Sequence, residues 1–120
     1  MKNNKINLPE IADVNSPVQM LNMLRFKDRK LYVDEYLTAF NTIVEKLGIK
    51  GAKVIFLSDV LVNLIADANE KWDAILLVEY PSVDAFRTVA ESNLYHEIAA
   101  PIRIAALSEW KVYMTRQAGL

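Results

Sequence analysis

Two periods of hydrophobicity run along this chain. From Val18 to Phe26 (VQMLNMLRF) the residues alternate as a strand does. Met20, Asn22, Leu24 and Phe26 share one face; Leu21, Met23 and Arg25 share the other. Both faces are largely apolar, so the strand is expected to be covered on two sides. Leu31 to Leu47 switches to helical spacing, with Tyr32, Tyr36, Phe40, Ile43, Val44 and Leu47 on one stripe. Asp34 and Glu35 near its start and Lys46 near its end suit the helix dipole. Gly48 is placed to close that helix. Lys53 to Ile65 (KVIFLSDVLVNLI) is rich in β-branched residues and predicts a long strand, bent or bulged at Ser58-Asp59. Trp72 to Tyr80 (WDAILLVEY) predicts a third strand, with Trp72, Ala74, Leu76, Val78 and Tyr80 on one face. Pro81 stops it. Ser82 then caps a helix carrying Val83, Phe86, Val89 and Ala90, and Ser92 caps a second helical stretch, Asn93 to Ala106. Leu94, Ile98, Ile102 and Ala105 are expected to face inward there, with Pro101 kinking or restarting the helix. Ser108 to Arg116 predicts the last strand, Trp110, Val112 and Met114 opposing Lys111 and Tyr113.

The order of elements is β-α-β-β-α-β, the split βαβ arrangement of ferredoxin-like folds, an α+β class with a four-stranded antiparallel sheet. The predicted domain is 18–116, with an N-terminal extension over 1–17 and a tail over 117–120. In the extension, Leu8 and Ile11 are candidates to pack down. Helices cover one face of such a sheet. The other face is apolar too, and a 120-residue chain has nothing left to cover it. At about 25 cal/mol per Å2, a standard interface of roughly 1,600 Å2 would bury that face well, so a homodimer through the sheet is expected. Glu79 would then lie in the interface and need Arg25 or Lys111 as a partner.

Composition narrows the chemistry. Fourteen basic against 15 acidic residues give a net charge of −1, without the basic excess of a general nucleic-acid binder. The chain has no cysteine, so disulfide, thiolate and iron–sulfur chemistry are excluded. No secretory or membrane-length apolar run is present, and the expected location is cytoplasmic, away from membranes. The 3 glycines do not form a phosphate-binding loop, and none of the usual nucleotide, serine-hydrolase or zinc-protease motifs occurs.

Several strings resemble the dimeric α/β-barrel superfamily, and within it the domain of unknown function 1330 family. They are Leu21-Asn22-Met23-Leu24-Arg25-Phe26-Lys27, then Trp72-Asp73, then Glu79-Tyr80-Pro81-Ser82 with Ala85-Phe86, and finally Ser92, Tyr95, Ile98 and Arg103. The resemblance covers about residues 18–116. It implies a homodimer with facing sheets and a small cavity between sheet and helices in each subunit. It implies no established activity; related branches include cofactor-free monooxygenases and haem-handling enzymes.

The candidate site residues follow from this frame. His96 is the one histidine, too few for a multi-histidine metal site but enough for a general base. On an ideal helical wheel at about 100° per residue, His96 and Arg103 lie within about 20° of each other, away from the Leu94–Ile98–Ile102 stripe. Both are then solvated, unless Pro101 resets the phase and turns Arg103 into the pocket to hold a carboxylate or an anionic ligand. Asn22 either bonds neighbouring backbone or points a polar group into the cavity. Trp72 and Asp73 are either a core indole and a surface carboxylate or an aromatic wall with a partner for Arg103. Tyr36, Phe40, Tyr80, Phe86 and Tyr95 are either ordinary core or the lining of an apolar pocket. The sharper reading is a binding site for a small apolar or aromatic molecule, with Asn22, Trp72, Asp73, Arg103, Tyr36 and Tyr80 as ligand contacts. His96 or Tyr95 would serve as proton acceptor in cofactor-free oxygenase or isomerase chemistry. No cofactor and no metal are expected. The plainer alternative is a non-catalytic binding or structural module with a filled core. A cavity of roughly 300 Å3 or more would favour the former.

Overall fold

The sheet is built from four strands, β1 (Val18–Phe26), β2 (Lys53–Asp59), β3 (Ala74–Tyr80) and β4 (Leu107–Thr115), in the order β2-β3-β1-β4 with antiparallel pairing throughout. This computed structural model describes residues 8–119; the start of the predicted extension, 1–7, and the last residue lie outside that range. Between β1 and β2 runs a helical segment made of α1 (Arg29–Leu31), a π-helical turn (Tyr32–Tyr36) and α2 (Leu37–Lys46). Asp28 caps it, its carboxylate accepting from Leu31 N at 3.0 Å. After β3 come α3 (Val83–Glu91), a second π-helical turn (Tyr95–Ala99) and α4 (Ala100–Ala106). Ser82 caps α3 through Ala85 N, and Ser92 caps the next stretch through Tyr95 N, each at 3.0 Å. The architecture is the ferredoxin-like α+β fold read from the pattern.

One sheet face carries the core. Val18, Met20, Asn22 and Leu24 of β1 and Ala74, Leu76, Val78 and Tyr80 of β3 are buried against Tyr32, Tyr36, Phe40, Ile43, Phe86, Val89 and Tyr95 of the helical layer. Residues 8–17 lie on this same side. Leu8, Ile11 and Val14 pack against the core, and Val83 N donates to Val14 O at 3.1 Å. Arg116 pins the segment down, donating to Asp13 O at 2.7 Å and Pro17 O at 3.2 Å. The opposite face presents Leu21, Met23, Ile75 and Leu77 half-buried, with Ile55, Phe56 and Tyr113 exposed. Among the described residues no helix covers it.

Four local expectations need correction. The second strand ends at Asp59, not Ile65, because its pairing ends where Asp59 meets Ala74; its irregularity falls between Val54 and Phe56, not at Ser58-Asp59. The third strand begins at Ala74 rather than Trp72, since Asp73 bends the chain, its N donating to Leu24 O at 2.9 Å. Glu79 is partnered by Gln19 Nε2 at 2.9 Å and lies 3.8 Å from Lys53 Nζ, rather than pairing with Arg25 or Lys111; Arg25 bonds Glu109 at 2.6 Å. Finally, Ile98 and Ala105 face solvent, whereas Tyr95, Ala99, Ala100, Arg103 and Ala106 are buried.

The last correction has a clear cause. Ala100 N donates to Tyr95 O, a π-type bond, so the turn contains one residue more than an α-turn. That extra residue rotates everything after it by about 100° relative to an ideal wheel. Pro101, in the first turn of α4, supplies no N–H and crowds the preceding carbonyls, which favours the wider turn immediately before it.

Candidate functional site

Tyr95 and Tyr36 each belong to one of the two π-helical turns, and the turns face each other above the sheet. The two hydroxyls meet at 2.7 Å, with the rings edge to face at 6.4 Å. Arg103 lies underneath, only 2% exposed. Its Nη1 donates to the Tyr95 hydroxyl at 2.6 Å, and its guanidinium carbon sits 4.2 Å from the centre of the Trp110 ring. Trp110 Nε1 donates to Asn22 Oδ1 at 2.9 Å, and Asn22 Nδ2 donates to Met20 O at 3.0 Å and Leu76 O at 3.3 Å. A continuous polar chain therefore runs from helix to sheet: Tyr36, Tyr95, Arg103, Trp110, Asn22. The Arg103 charge at its centre and the short contacts along it strengthen its links.

Against this chain lies a cavity of about 40 Å3, far below the roughly 300 Å3 that would favour a ligand pocket over a filled core. Asn22, Tyr32, Tyr36, Tyr80, Tyr95 and Trp110 supply its polar-bearing wall; Met20, Phe40, Leu76, Val78 and Phe86 are among its apolar lining. At about 10–15 Å3 per water it has room for about three or four water molecules. Aromatic packing holds the wall in place: Tyr32 stacks on Tyr36 at 4.8 Å, and Tyr80 meets Phe40 and Phe86 edge-on at 6.1 and 5.1 Å. Burial raises the phenols of Tyr32, Tyr36 and Tyr80 well above their ordinary value, with the neighbouring Tyr95 adding to the rise. These three groups stay protonated at neutral pH and do not act as bases there.

Of the residues singled out from sequence, Asn22, Tyr36, Tyr80 and Tyr95 line the cavity, and Arg103 stands behind Tyr95. The outward reading of Arg103 is overturned by the π-turn. His96 remains exposed, its ring 6.1 Å from that of Tyr95 and outside the lining. Trp72 and Asp73 do not line the cavity either. The Trp72 ring lies on the far side of the sheet beside Arg25 (5.1 Å) and Lys111 (5.6 Å). Asp73 accepts from Phe26 N at 2.8 Å, fixing the start of β3 rather than meeting Arg103. Trp110 was absent from the candidate ligand contacts, although its alternation with Val112 and Met114 already put it on the core face. Among the described residues no cluster of His, Asp and Glu could hold a metal ion, and no helix is long and apolar enough to cross a membrane.

Solved structures with this architecture exist in several organisms. A protein of unknown function from Rhodopseudomonas palustris is 27% identical, superposes with a TM-score of 0.75, and is matched over 91% of this chain and 88% of its own. A hypothetical protein from Arabidopsis thaliana is 15% identical with a TM-score of 0.62, covering 92% of this chain and 96% of its own. A dabb family protein with a ferredoxin-like fold from Mesorhizobium loti is 8% identical, with a TM-score of 0.55 over 86% and 98% of the two chains. The last two establish likeness of fold alone. No family model matches the chain, and no curated protein matches it.

Proposed function

We propose that this chain is a homodimeric, cytoplasmic binding protein of the domain of unknown function 1330 type. It takes a small, mostly apolar molecule carrying one hydrogen-bond acceptor into the tyrosine-lined cavity. The observation that carries this reading is the meeting of Tyr36 and Tyr95 from two separate π-turns, backed by buried Arg103. π-Turns are rare and concentrate at functional sites; two of them converging on one polar pair is more than packing requires. Arg103 donates to the Tyr95 oxygen, so the Tyr95 hydroxyl can donate its hydrogen bond to Tyr36, leaving the Tyr36 O–H to donate to a ligand oxygen. A carbonyl or phenol oxygen suits such a donor. The ligand takes the place of any water there and widens the cavity by rotating side chains at its rim.

The same geometry supports binding and carbonyl polarisation more than proton abstraction. Oxygenase or isomerase chemistry without a cofactor needs a base beside the substrate. Tyr32, Tyr36 and Tyr80 hold their protons, His96 faces outward, and the Tyr95 hydroxyl, the other candidate, is already engaged by Arg103 and Tyr36. The second reading, a module with a filled core, is favoured by the cavity's 40 Å3 and by Asn22, whose amide already bonds Trp110 and the backbone. A thermal-shift screen of small aldehydes, ketones and phenols separates the two. Binding predicts compounds that raise the midpoint of the wild type and lose most of that effect in Tyr36→Phe. A flat screen, with no molecule retained by protein from its own host, sinks the binding reading.

A further inference from the structure

The connection between β2 and β3 spans residues 60–73, long for a hairpin loop. Its base is closed by Val60 N donating to Asp73 O at 2.9 Å. Beyond that base the chain exposes Leu61 (95%), Val62 (65%), Leu64 (87%) and Ile65 (99%). Single exposed aliphatics are ordinary, but four within five residues mark an interaction surface. The arm rises from β2, an edge strand. Between it and the open sheet face lies a groove of about 520 Å3, whose sheet side includes Met23, Trp72, Ile75 and Tyr113.

We infer that this arm is a clasp for a second copy of the chain, residues 61–65 of each protomer lying across the partner's open sheet face. The inference rests on the sheet-face dimer proposed above. Area argues for it. A face of four strands at about 4.8 Å and seven residues at about 3.3 Å covers roughly 440 Å2 in projection. A standard interface takes about 800 Å2 from each partner. Burying one branched aliphatic removes about 60–120 Å2 from water, so the four arm residues add about 240–480 Å2 to what the sheet face contributes. Reach agrees as well: five extended residues span about 17 Å, against about 14 Å across the centres of four strands. The arm is continuous with the open face, and a twofold axis that seats one arm seats both.

The test is sedimentation equilibrium of the wild type and of the double variant Leu64→Ser with Ile65→Ser. The wild type is expected to be a dimer, and the variant's dissociation constant to rise about 100-fold or more with unchanged far-UV circular dichroism. If the double variant misfolds, Leu61→Ser alone gives the same readout with a smaller rise. A dimeric wild type whose variants dimerise equally well overturns the clasp and leaves the sheet-face dimer standing. A monomeric wild type overturns both. A monomer that sediments with phosphatidylcholine vesicles also overturns the clasp and assigns the arm to a lipid surface.

Discussion

Replacing Tyr95 with phenylalanine removes one oxygen and two hydrogen bonds, and the structure sets the size of the effect. The link to Arg103 at 2.6 Å is charge-assisted and contributes about 1.5–3 kcal/mol; the link to Tyr36 at 2.7 Å is neutral and contributes about 0.5–1.5 kcal/mol. Both partners are buried and would lose an acceptor or donor at once. The expected loss for Tyr95→Phe is therefore about 2–4.5 kcal/mol, against about 0.5–1.5 kcal/mol for Tyr36→Phe, which breaks only the neutral link. Unfolding 120 residues at about 2.1 cal/mol/K each gives about 0.25 kcal/mol/K, so each kcal/mol moves the midpoint by about 4 °C. Calorimetry at one fixed protein concentration should show the first variant melting about 8–18 °C lower and the second about 2–6 °C lower. The double variant should cost less than the two single losses combined, because Tyr36 no longer leaves an orphaned hydroxyl. Equal losses in the two single variants would refute the claim that Tyr95 is the hub between Arg103 and Tyr36.

Asn22→Leu should cost about 1–3 kcal/mol in urea unfolding, because it strands the Trp110 indole N–H in the core; a neutral result would mean that the pair is not maintained in solution. Tyr32, Tyr36 and Tyr80 have folded pKa values raised above the unfolded value of 10.0. Their contribution to stability is complete below pH 10 and falls as pH rises above it, since the unfolded chain then releases protons that the folded chain keeps. Absorbance at alkaline pH should show these three ionising together with loss of circular dichroism, and early, separate ionisation would contradict their burial. His96→Ala should change stability by less than about 0.5 kcal/mol and leave binding of any compound found in the thermal-shift screen unaltered; loss of binding would return His96 to the site.

Alternation and helical spacing were enough to recover the order of elements along the chain, the two capped helices and the unshielded apolar sheet face. They failed where the backbone departs from a regular period. An ideal wheel placed Arg103 beside His96 on the outside, and one additional residue in the Tyr95–Ala99 turn moved it to the core. Pro101 was the available signal, because it marks where the phase can reset. Trp72 was misplaced for a similar reason: alternation was extended through Asp73, where the chain bends before β3. The apolar run Val60–Ile65 reads as strand by composition, yet β3 offers it no partner beyond Ala74. Its hydrophobicity is instead presented to solvent. Local propensity cannot distinguish a residue that packs on its own sheet from one that reaches outward.

Native mass spectrometry of the protein purified from its own host weighs subunits and retained small molecules together, and so reads the dimer and its ligand in one experiment. The account predicts a mass of two chains, with an added small molecule that is lost from the Tyr36→Phe protein while the two-chain species persists. A single chain carrying nothing would contradict it.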